Sequence, residues 1–347
     1  MSSAENENSR TQTAFKNFQY QFDFITVIIA ISFVFFIPSC YCTFKMIIFY
    51  KKKSVLNSSR DIHPDVFKSF LLMQSLNIVH TVFDFLLSRI PSTTALTSLC
   101  ASLEADNFTV ILTVFIVQLL AYLTQLFTLL FCYIRVIILY KYFQILKRLF
   151  MTFSLLSLTI GCGLSFPNFF SFLICRQLNA PYQFGSIMIT TEFTATSVRN
   201  KAFVRLVFVL RRQLKNMCTN KMSMNYANLV LSASIMLLII VATGLMMSRI
   251  RSQRIITASS HSHEHTKAET TLTVTMFLIL IPLVFTQLLS ITSLASSPVY
   301  YYIIVIRPLL SDSRINIVSC YFYCTHPIFK ASTTANSKTV RTLTTSI

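Results

Sequence analysis

Long apolar stretches recur along this chain, and they restrict its fold more than any other feature does. Each reaches the ~20 residues that an α-helix needs to cross roughly 30 Å of hydrocarbon. They lie at about residues 24–50, 66–87, 108–136, 151–174, 227–247, 272–294 and 299–323. The pattern predicts an all-α integral membrane protein, folded as a bundle of seven transmembrane helices.

Composition supports a lipid environment. Hydrophobic residues make up 54% of the 347 and charged residues only 12%, whereas a soluble domain averages about 25% charged residues. So few charges could not cover a water-exposed surface of this size. In a bilayer the shortage is expected, because each charge at the membrane centre costs roughly 2.5–3.5 kcal/mol.

The distribution of basic residues predicts the orientation. Lys51, Lys52 and Lys53 follow the first stretch, and further Lys and Arg clusters follow the third, fifth and seventh. Basic segments beside spans tend to remain in the cytoplasm, so we expect an extracellular N-terminus and a cytoplasmic C-terminus. Residues 1–23 are then an outer tail, 24–330 the membrane domain, and 331–347 a cytoplasmic tail rich in Ser and Thr.

Two regions fit this pattern less well. Residues 176–225 are expected outside, yet they carry several Lys and Arg; this segment is either a long loop or contains a fifth helix that begins near Asn200. The seventh stretch contains Arg307, Asp312 and Arg314. Charges inside a membrane usually pair or face the bundle interior, so either these do so or the span is shorter.

Three polar residues share one face of the second predicted helix. Asn77, His80 and Asp84 are spaced by three and four residues, which places them on the same side of an α-helix. Polar groups at this depth need partners, so we expect the face to point inward. It is either a ligand-binding or switch network, with Asp84 near the outer end, or an interhelical packing contact.

Two cysteines and one asparagine are candidates for modification outside the cell. Cys100 precedes the third stretch and Cys175 follows the fourth, both on the predicted outer side where disulfides persist. We expect them to form a bridge; the alternative is unpaired thiols. Asn107 opens an Asn-Phe-Thr glycosylation acceptor, although its closeness to the third stretch limits steric access.

The sequence argues against several functional classes. The net charge of +18 suggests nucleic acid only when it is taken alone, because the basic residues flank apolar stretches and suit anionic lipid better. Only four glycines occur, so a phosphate-binding loop is not expected. No catalytic constellation, metal site or cofactor motif stands out, and we therefore expect a protein that is not an enzyme.

Several strings resemble nematode serpentine chemoreceptors, and class U in particular. The resemblance lies in the two outer loops and in the sixth and seventh helices. The matching strings are residues 89–93, 97–101, 175–187, 267–269 with 272–273, 307–308, 312, 322–323 and 325–330. It implies a seven-helix receptor on sensory-neuron cilia that binds a small-molecule cue and signals through a heterotrimeric G protein.

The same resemblance suggests a cytoplasmic coupling surface. Arg135 closes the third stretch, where it is either a switch residue or an interfacial anchor, and Lys267 and Glu269 begin the sixth. The chain departs from the family pattern in having no acidic residue before Arg135, no tryptophan and a long basic segment at 200–226. The alternative function is a multi-span transporter or a ligand-gated channel.

Overall fold

The computed structural model describes residues 15–16, 18–52, 64–102, 107–140, 146–166, 172–192, 221–256, 263–294, 299–326 and 329. They include long helices that we number α1 to α7. The bounds are α1 Phe24–Lys51, α2 Pro64–Asp84, α3 Phe108–Leu139, α4 Leu146–Ser165, α5 Lys221–Ile256, α6 His263–Leu294 and α7 Val299–Thr325.

The helix starts follow from local capping. The Asp23 carboxylate accepts a hydrogen bond from the Thr26 amide and caps α1. The Asn107 side chain accepts from the Thr109 and Val110 amides at the start of α3. Such caps satisfy amides that have no partner within the helix. Asn107, the glycosylation candidate, therefore lies at the N-terminus of α3.

The second helix widens near its C-terminal end. Phe85–Arg89 forms one turn of π-helix, after which Ile90–Ser92 returns to α-helical geometry and Thr97–Ser102 forms a further short helix. A π-turn places residues five apart on one face. Asp84 and Arg89 therefore face the same way, which an ordinary α-helix would not permit.

Five helices of the described chain are long and apolar enough to cross a membrane. They are Phe24–Lys51, Pro64–Ser92, Phe108–Leu139, Arg148–Ser165 and Leu229–Arg249. α6 contains a shorter apolar portion, Thr273–Leu289. α7 is one continuous helix of 27 residues that includes Pro308 and carries the three charges noted above.

Neighbouring helices run alongside one another, with α3 packed against α2, α4 and α5, and α7 packed against α1 and α6. Ser39 contacts Asn316 and Thr43 contacts Ser319, at 2.5 and 3.1 Å between side-chain oxygens. Residue numbers rise together in these pairs, so α1 and α7 are parallel. Large apolar side chains such as Phe33, Phe35 and Phe44 are more than half exposed, as a lipid-facing surface requires.

The main core lies at the end of the bundle where α1 and α7 end and α2 begins. Aromatic rings are central to it: Phe70 is 4.4 Å from Phe322 and 5.6 Å from Phe131 between ring centroids. Such pairs add to the free energy gained from area burial. A second, smaller cluster at the opposite end contains Ile25, Ile29, Phe85, Leu178 and Tyr182.

The segment after α4 differs from the sequence expectation. We expected a helix over residues 151–174, but α4 ends at Ser165 and Phe172–Gln177 forms strand β1. It pairs antiparallel with β2, Ile187–Glu192, with Cys175 opposite Ile189. β-Branched and aromatic residues in 172–177 suit a strand as well as a span. Residues 193–220, where a fifth helix was the alternative, lie outside the described part of the chain.

Candidate functional site

The polar face of α2 is turned toward α7. Asn77 and Asp84 are buried, at 2% and 5% exposed, and His80 lies half-buried between them. Arg314 of α7 donates a hydrogen bond to the Asn77 side-chain oxygen. Arg307 of α7 approaches Asp84, with 3.6 Å between its Nη2 and the carboxylate Oδ1. Asn77 and Asp84 are thus both engaged by the seventh helix.

Arg89 connects the two helices at the centre of this arrangement. Its Nε donates to Asp84 Oδ2 at 2.8 Å, and its Nη1 and Nη2 donate to the two carboxylate oxygens of Asp312 at 2.6 and 2.7 Å. The guanidinium also lies 4.2 Å from the centroid of the Phe85 ring. A two-pronged arginine–carboxylate pair is the strongest form of such a contact, and here it joins residues 223 apart in sequence.

Sequence reasoning missed Arg89, because it read residues 89–93 as part of an outer loop. The available signal was its position five residues after Asp84. At that spacing two side chains lie on the same face of a helix only across a π-turn. By contrast, Arg307, Asp312 and Arg314 were expected to pair or to face inward if they lay in a helix. Each of them contacts a residue of α2 or of the π-turn that follows it.

A cavity of about 60 Å³ lies beside these charges, between α1, the C-terminal end of α2, α7 and the β1–β2 hairpin. Ligand sites for drug-sized molecules measure roughly 300–1,000 Å³. This cavity therefore holds only a much smaller molecule unless it widens. Its walls are mostly apolar, with charged side chains at one side. Its lining includes Ile25, Ile29, Asp84, Tyr182, Ile304 and Arg307.

The β1–β2 hairpin covers the cavity. A disulfide between Cys100 and Cys175 ties β1 to the short helix Thr97–Ser102. The Thr97 hydroxyl donates to the Gly185 carbonyl at 2.5 Å, which fixes the hairpin turn to the same helix. Tyr182 reaches the cavity from this turn, and burial raises the pKa of its hydroxyl. That phenol therefore stays protonated and able to donate a hydrogen bond.

A segment before α1 packs against the hairpin turn. Phe15 and Phe18 contact the Phe184 ring, with centroids 5.7 and 5.9 Å away. The Gln21 amide donates to the Thr94 hydroxyl at 3.2 Å. The hairpin is consequently held from both sides, by the disulfide and by the N-terminal segment.

Arg135, one of the predicted coupling residues, lies away from the cavity. Arg135 is buried, at 4% exposed, in the last two turns of α3 beside Phe131 and Ile134 of the main core. Lys267 and Glu269 belong to the first turns of α6, but their side chains lie outside the described part of the structure. Arg135 belongs neither to the cavity lining nor to the charge cluster of the described residues.

Comparison with known proteins gives one family. The sequence model of the family described as serpentine type 7TM GPCR chemoreceptor Sru matches residues 10–332, which is nearly the whole chain. No curated protein matches the sequence.

Proposed function

The chain belongs to the Sru family of serpentine chemoreceptors, and from that premise we propose that it binds a small extracellular molecule in the cavity beneath the β1–β2 hairpin. Binding is then reported to a heterotrimeric G protein on the cytoplasmic side. The observation that carries the proposal is the cavity itself. It is covered by a tethered hairpin and lined by Asp84, a member of the polar face of α2.

The charge cluster supplies a physical route from ligand to signal. A ligand shifts a conformational equilibrium only by its difference in affinity for the two states. A molecule in the cavity touches Asp84 and Arg307, which join α2 to α7. Any contact that competes with this pair changes the free energy of the α2–α7 arrangement. We propose that Asn77 and His80, on the same face, belong to this responsive region.

The cytoplasmic surface is proposed to include Arg135, Lys267 and Glu269. Arg135 is buried and follows Ile134 of the main core, at the end of the bundle opposite the cavity. A rearrangement of α7 against the core therefore reaches the region around Arg135. Lys267 and Glu269 begin the neighbouring α6, where they could contact a G-protein subunit.

The proposed topology is a seven-span bundle in the plasma membrane, with residues 1–23 outside and 331–347 inside. Sensory cilia are the proposed location. The parallel arrangement of α1 and α7 supports termini on opposite sides of the membrane, as do the basic segments after the odd-numbered spans. A glycan on Asn107 is a further proposal, consistent with its position at the outer start of α3.

A cell assay with a matched pair of variants tests the proposal. Tagged receptor is expressed at the surface and exposed to panels of volatile and water-soluble compounds, with cAMP, cGMP and calcium as readouts. Ile304→Trp fills the cavity, whereas Ile306→Trp adds the same bulk two residues away at a position that is 49% exposed and not part of the lining. We expect Ile304→Trp alone to abolish an identified response.

Two outcomes contradict the proposal. The first is silence across the panels despite confirmed surface expression of the wild-type chain. The second is a response that both tryptophan variants retain equally, since the ligand would then bind elsewhere. Ligand-independent conductance of the purified protein in a planar bilayer would instead support the channel alternative.

A further inference from the structure

We infer that the cavity takes a small monocarboxylate with a short apolar chain, and that Arg307 binds its carboxylate. This inference rests on the proposed function, because it names the chemical class of ligand for the same cavity. It is carried by the incomplete pairing of Arg307, the phenol of Tyr182 and the apolar lining from α1 and α7.

The charges around the cavity nearly cancel, so their sum does not set the sign of the ligand. The charged members of the cluster in the described chain are Arg89, Arg307, Arg314, Asp84 and Asp312, which are three guanidinium groups and two carboxylates. The buried carboxylate of Asp23 lies close enough to Tyr182 of the lining to act on its hydroxyl and makes the carboxylates three. The ligand class is therefore decided by which charged group remains available at the cavity.

Arg307 is the guanidinium that remains available to a ligand. Arg89 is 3% exposed and uses all three of its nitrogens on Asp84 and Asp312. Arg307, in contrast, has a side chain that is 44% exposed, and its contact to Asp84 at 3.6 Å is too long for a hydrogen bond. It also lines the cavity. Its planar donors match a carboxylate in two-pronged geometry.

The remaining polar groups of the lining agree with this ligand. Tyr182 stays a phenol, as described above, and can donate to a carboxylate oxygen. Asp84 Oδ1, which also lines the cavity side, repels a carboxylate at close range but lies next to Arg307 Nη2. The ligand carboxylate is therefore expected on the guanidinium nitrogens that Asp84 does not approach.

The apolar part of the lining sets the size and polarity of the rest of the molecule. Ile25, Ile29, Ile304 and Val305 are apolar and come from α1 and α7. A volume of about 60 Å³ corresponds to roughly four to six water-sized units, since one water needs ~10–15 Å³ on the same measure. A four-carbon acid has six non-hydrogen atoms and matches both the size and the apolar wall.

Three compounds of equal chain length test the charge requirement. Purified full-length receptor in detergent is heated with butyrate, butyramide or butylamine, at equal concentration and with ionic strength matched by sodium chloride. We expect butyrate to raise the apparent melting temperature in a saturable way, and the amide and the amine to leave it unchanged. Equal stabilisation by all three compounds, or stabilisation by butylamine or butyramide alone, overturns the inference.

Three variants connect the effect to Arg307. Arg307→Gln should weaken the apparent affinity for butyrate by about tenfold or more, the usual effect of losing a charged hydrogen bond. Arg307→Lys should lose less, because it keeps the charge. Arg176→Gln removes an equivalent charge from an exposed position on β1 and should leave the affinity unchanged. Should Arg307→Gln fail to fold, Arg307→Lys and the three-compound comparison on wild type still decide the matter.

The stabilisation experiment distinguishes failure of the inferred ligand class from failure of the proposed function. Failure of butyrate to stabilise the wild-type receptor overturns the inferred ligand class alone. The proposed function survives that result if an uncharged compound activates the receptor and Ile304→Trp abolishes the response. It fails only if no compound of any class acts through the cavity.

Discussion

Arg89 is the residue on which the hairpin end of the bundle most depends. It is 3% exposed and neutralises two buried carboxylates, Asp84 and Asp312. Removal of one member of a buried ion pair commonly costs about 3–5 kcal/mol, since it leaves an uncompensated charge. We expect Arg89→Gln to lower the thermal stability of the purified protein by an amount in that range, measured as a loss of helical circular dichroism on heating.

A double-mutant cycle separates lost pairing from lost packing in Arg89→Gln. Asp312→Asn removes one of the two stranded carboxylates, so Arg89→Gln combined with Asp312→Asn should be more stable than the sum of the two single losses predicts. Arg176→Gln, at an exposed position, should be neutral. Strict additivity of the two buried substitutions would contradict an energetic link between these residues.

Gly185 occupies a position that only glycine suits. Its φ is +94°, and an added Cβ would meet the Phe18 ring. L-residues at positive φ cost about 1–3 kcal/mol, so Gly185→Ala should loosen both the hairpin turn and the segment packed on it. We expect faster amide hydrogen exchange at Gln21, whose amide contacts Thr94, measured by mass spectrometry.

The matched control for Gly185→Ala is Gly163→Ala. No atom lies within 4 Å of a Cβ built at Gly163, which is in α4, so alanine there should leave exchange at Gln21 as in the wild type. Unchanged exchange in Gly185→Ala as well would show that the N-terminal segment does not depend on the turn.

At the scale of elements, the hairpin is fixed by the Cys100–Cys175 disulfide, with 75 residues of separation. A cross-link of this length restricts the unfolded chain by about 4 kcal/mol in the chain-entropy account. Cys100→Ser and Cys175→Ser should therefore each lower the melting temperature to a similar extent, and combining them should add little. Cys324→Ser, at an exposed free cysteine, is the control; an equal loss in that variant would argue against the bridge as the cause.

The sequence predicts some elements better than others, for physical reasons. Helix α1 was expected at 24–50 and lies at Phe24–Lys51, since unbroken apolar runs flanked by charge leave few alternatives. The region after α4 was expected to be helical and instead contains β1, because a short apolar run suits a strand equally well. The contact between Arg89 and Asp312 depends on tertiary geometry and on a π-turn, neither of which periodicity reveals.

At the scale of the whole molecule, helix directions limit the topology. α1 and α7 are parallel, as the pairs Ser39–Asn316 and Thr43–Ser319 establish. α2 runs antiparallel to α7, because Asn77 meets Arg314 while Asp84 meets Arg307. Two parallel helices that both cross a membrane must be separated by an odd number of crossings, and the number of spans from the first to the last is then odd.

If α7 crosses the membrane parallel to α1, an odd number of crossings must lie between them, which the proposed spans α2 to α6 satisfy. Five helices of the described chain meet the length and polarity criteria for spanning, and α7 carries Arg307, Asp312 and Arg314. Those charges contact Asn77 and Asp84 of α2 and Arg89 of the π-turn after it. They therefore need not face lipid. A helix of 27 residues measures about 40 Å at 1.5 Å per residue, enough to cross.

Epitope accessibility tests the seven-span arrangement directly. An antibody against a tag before Met1 should label intact cells, whereas a tag after Ile347 should require permeabilisation, because an odd number of crossings puts the termini on opposite sides. A glycosylation acceptor inserted after Lys52 should remain unmodified, and one inserted after Glu192 should receive a glycan, since these positions follow α1 and the hairpin. Labelling of both tags on intact cells would require an even number of crossings, which the parallel contact between α1 and α7 forbids if both helices span.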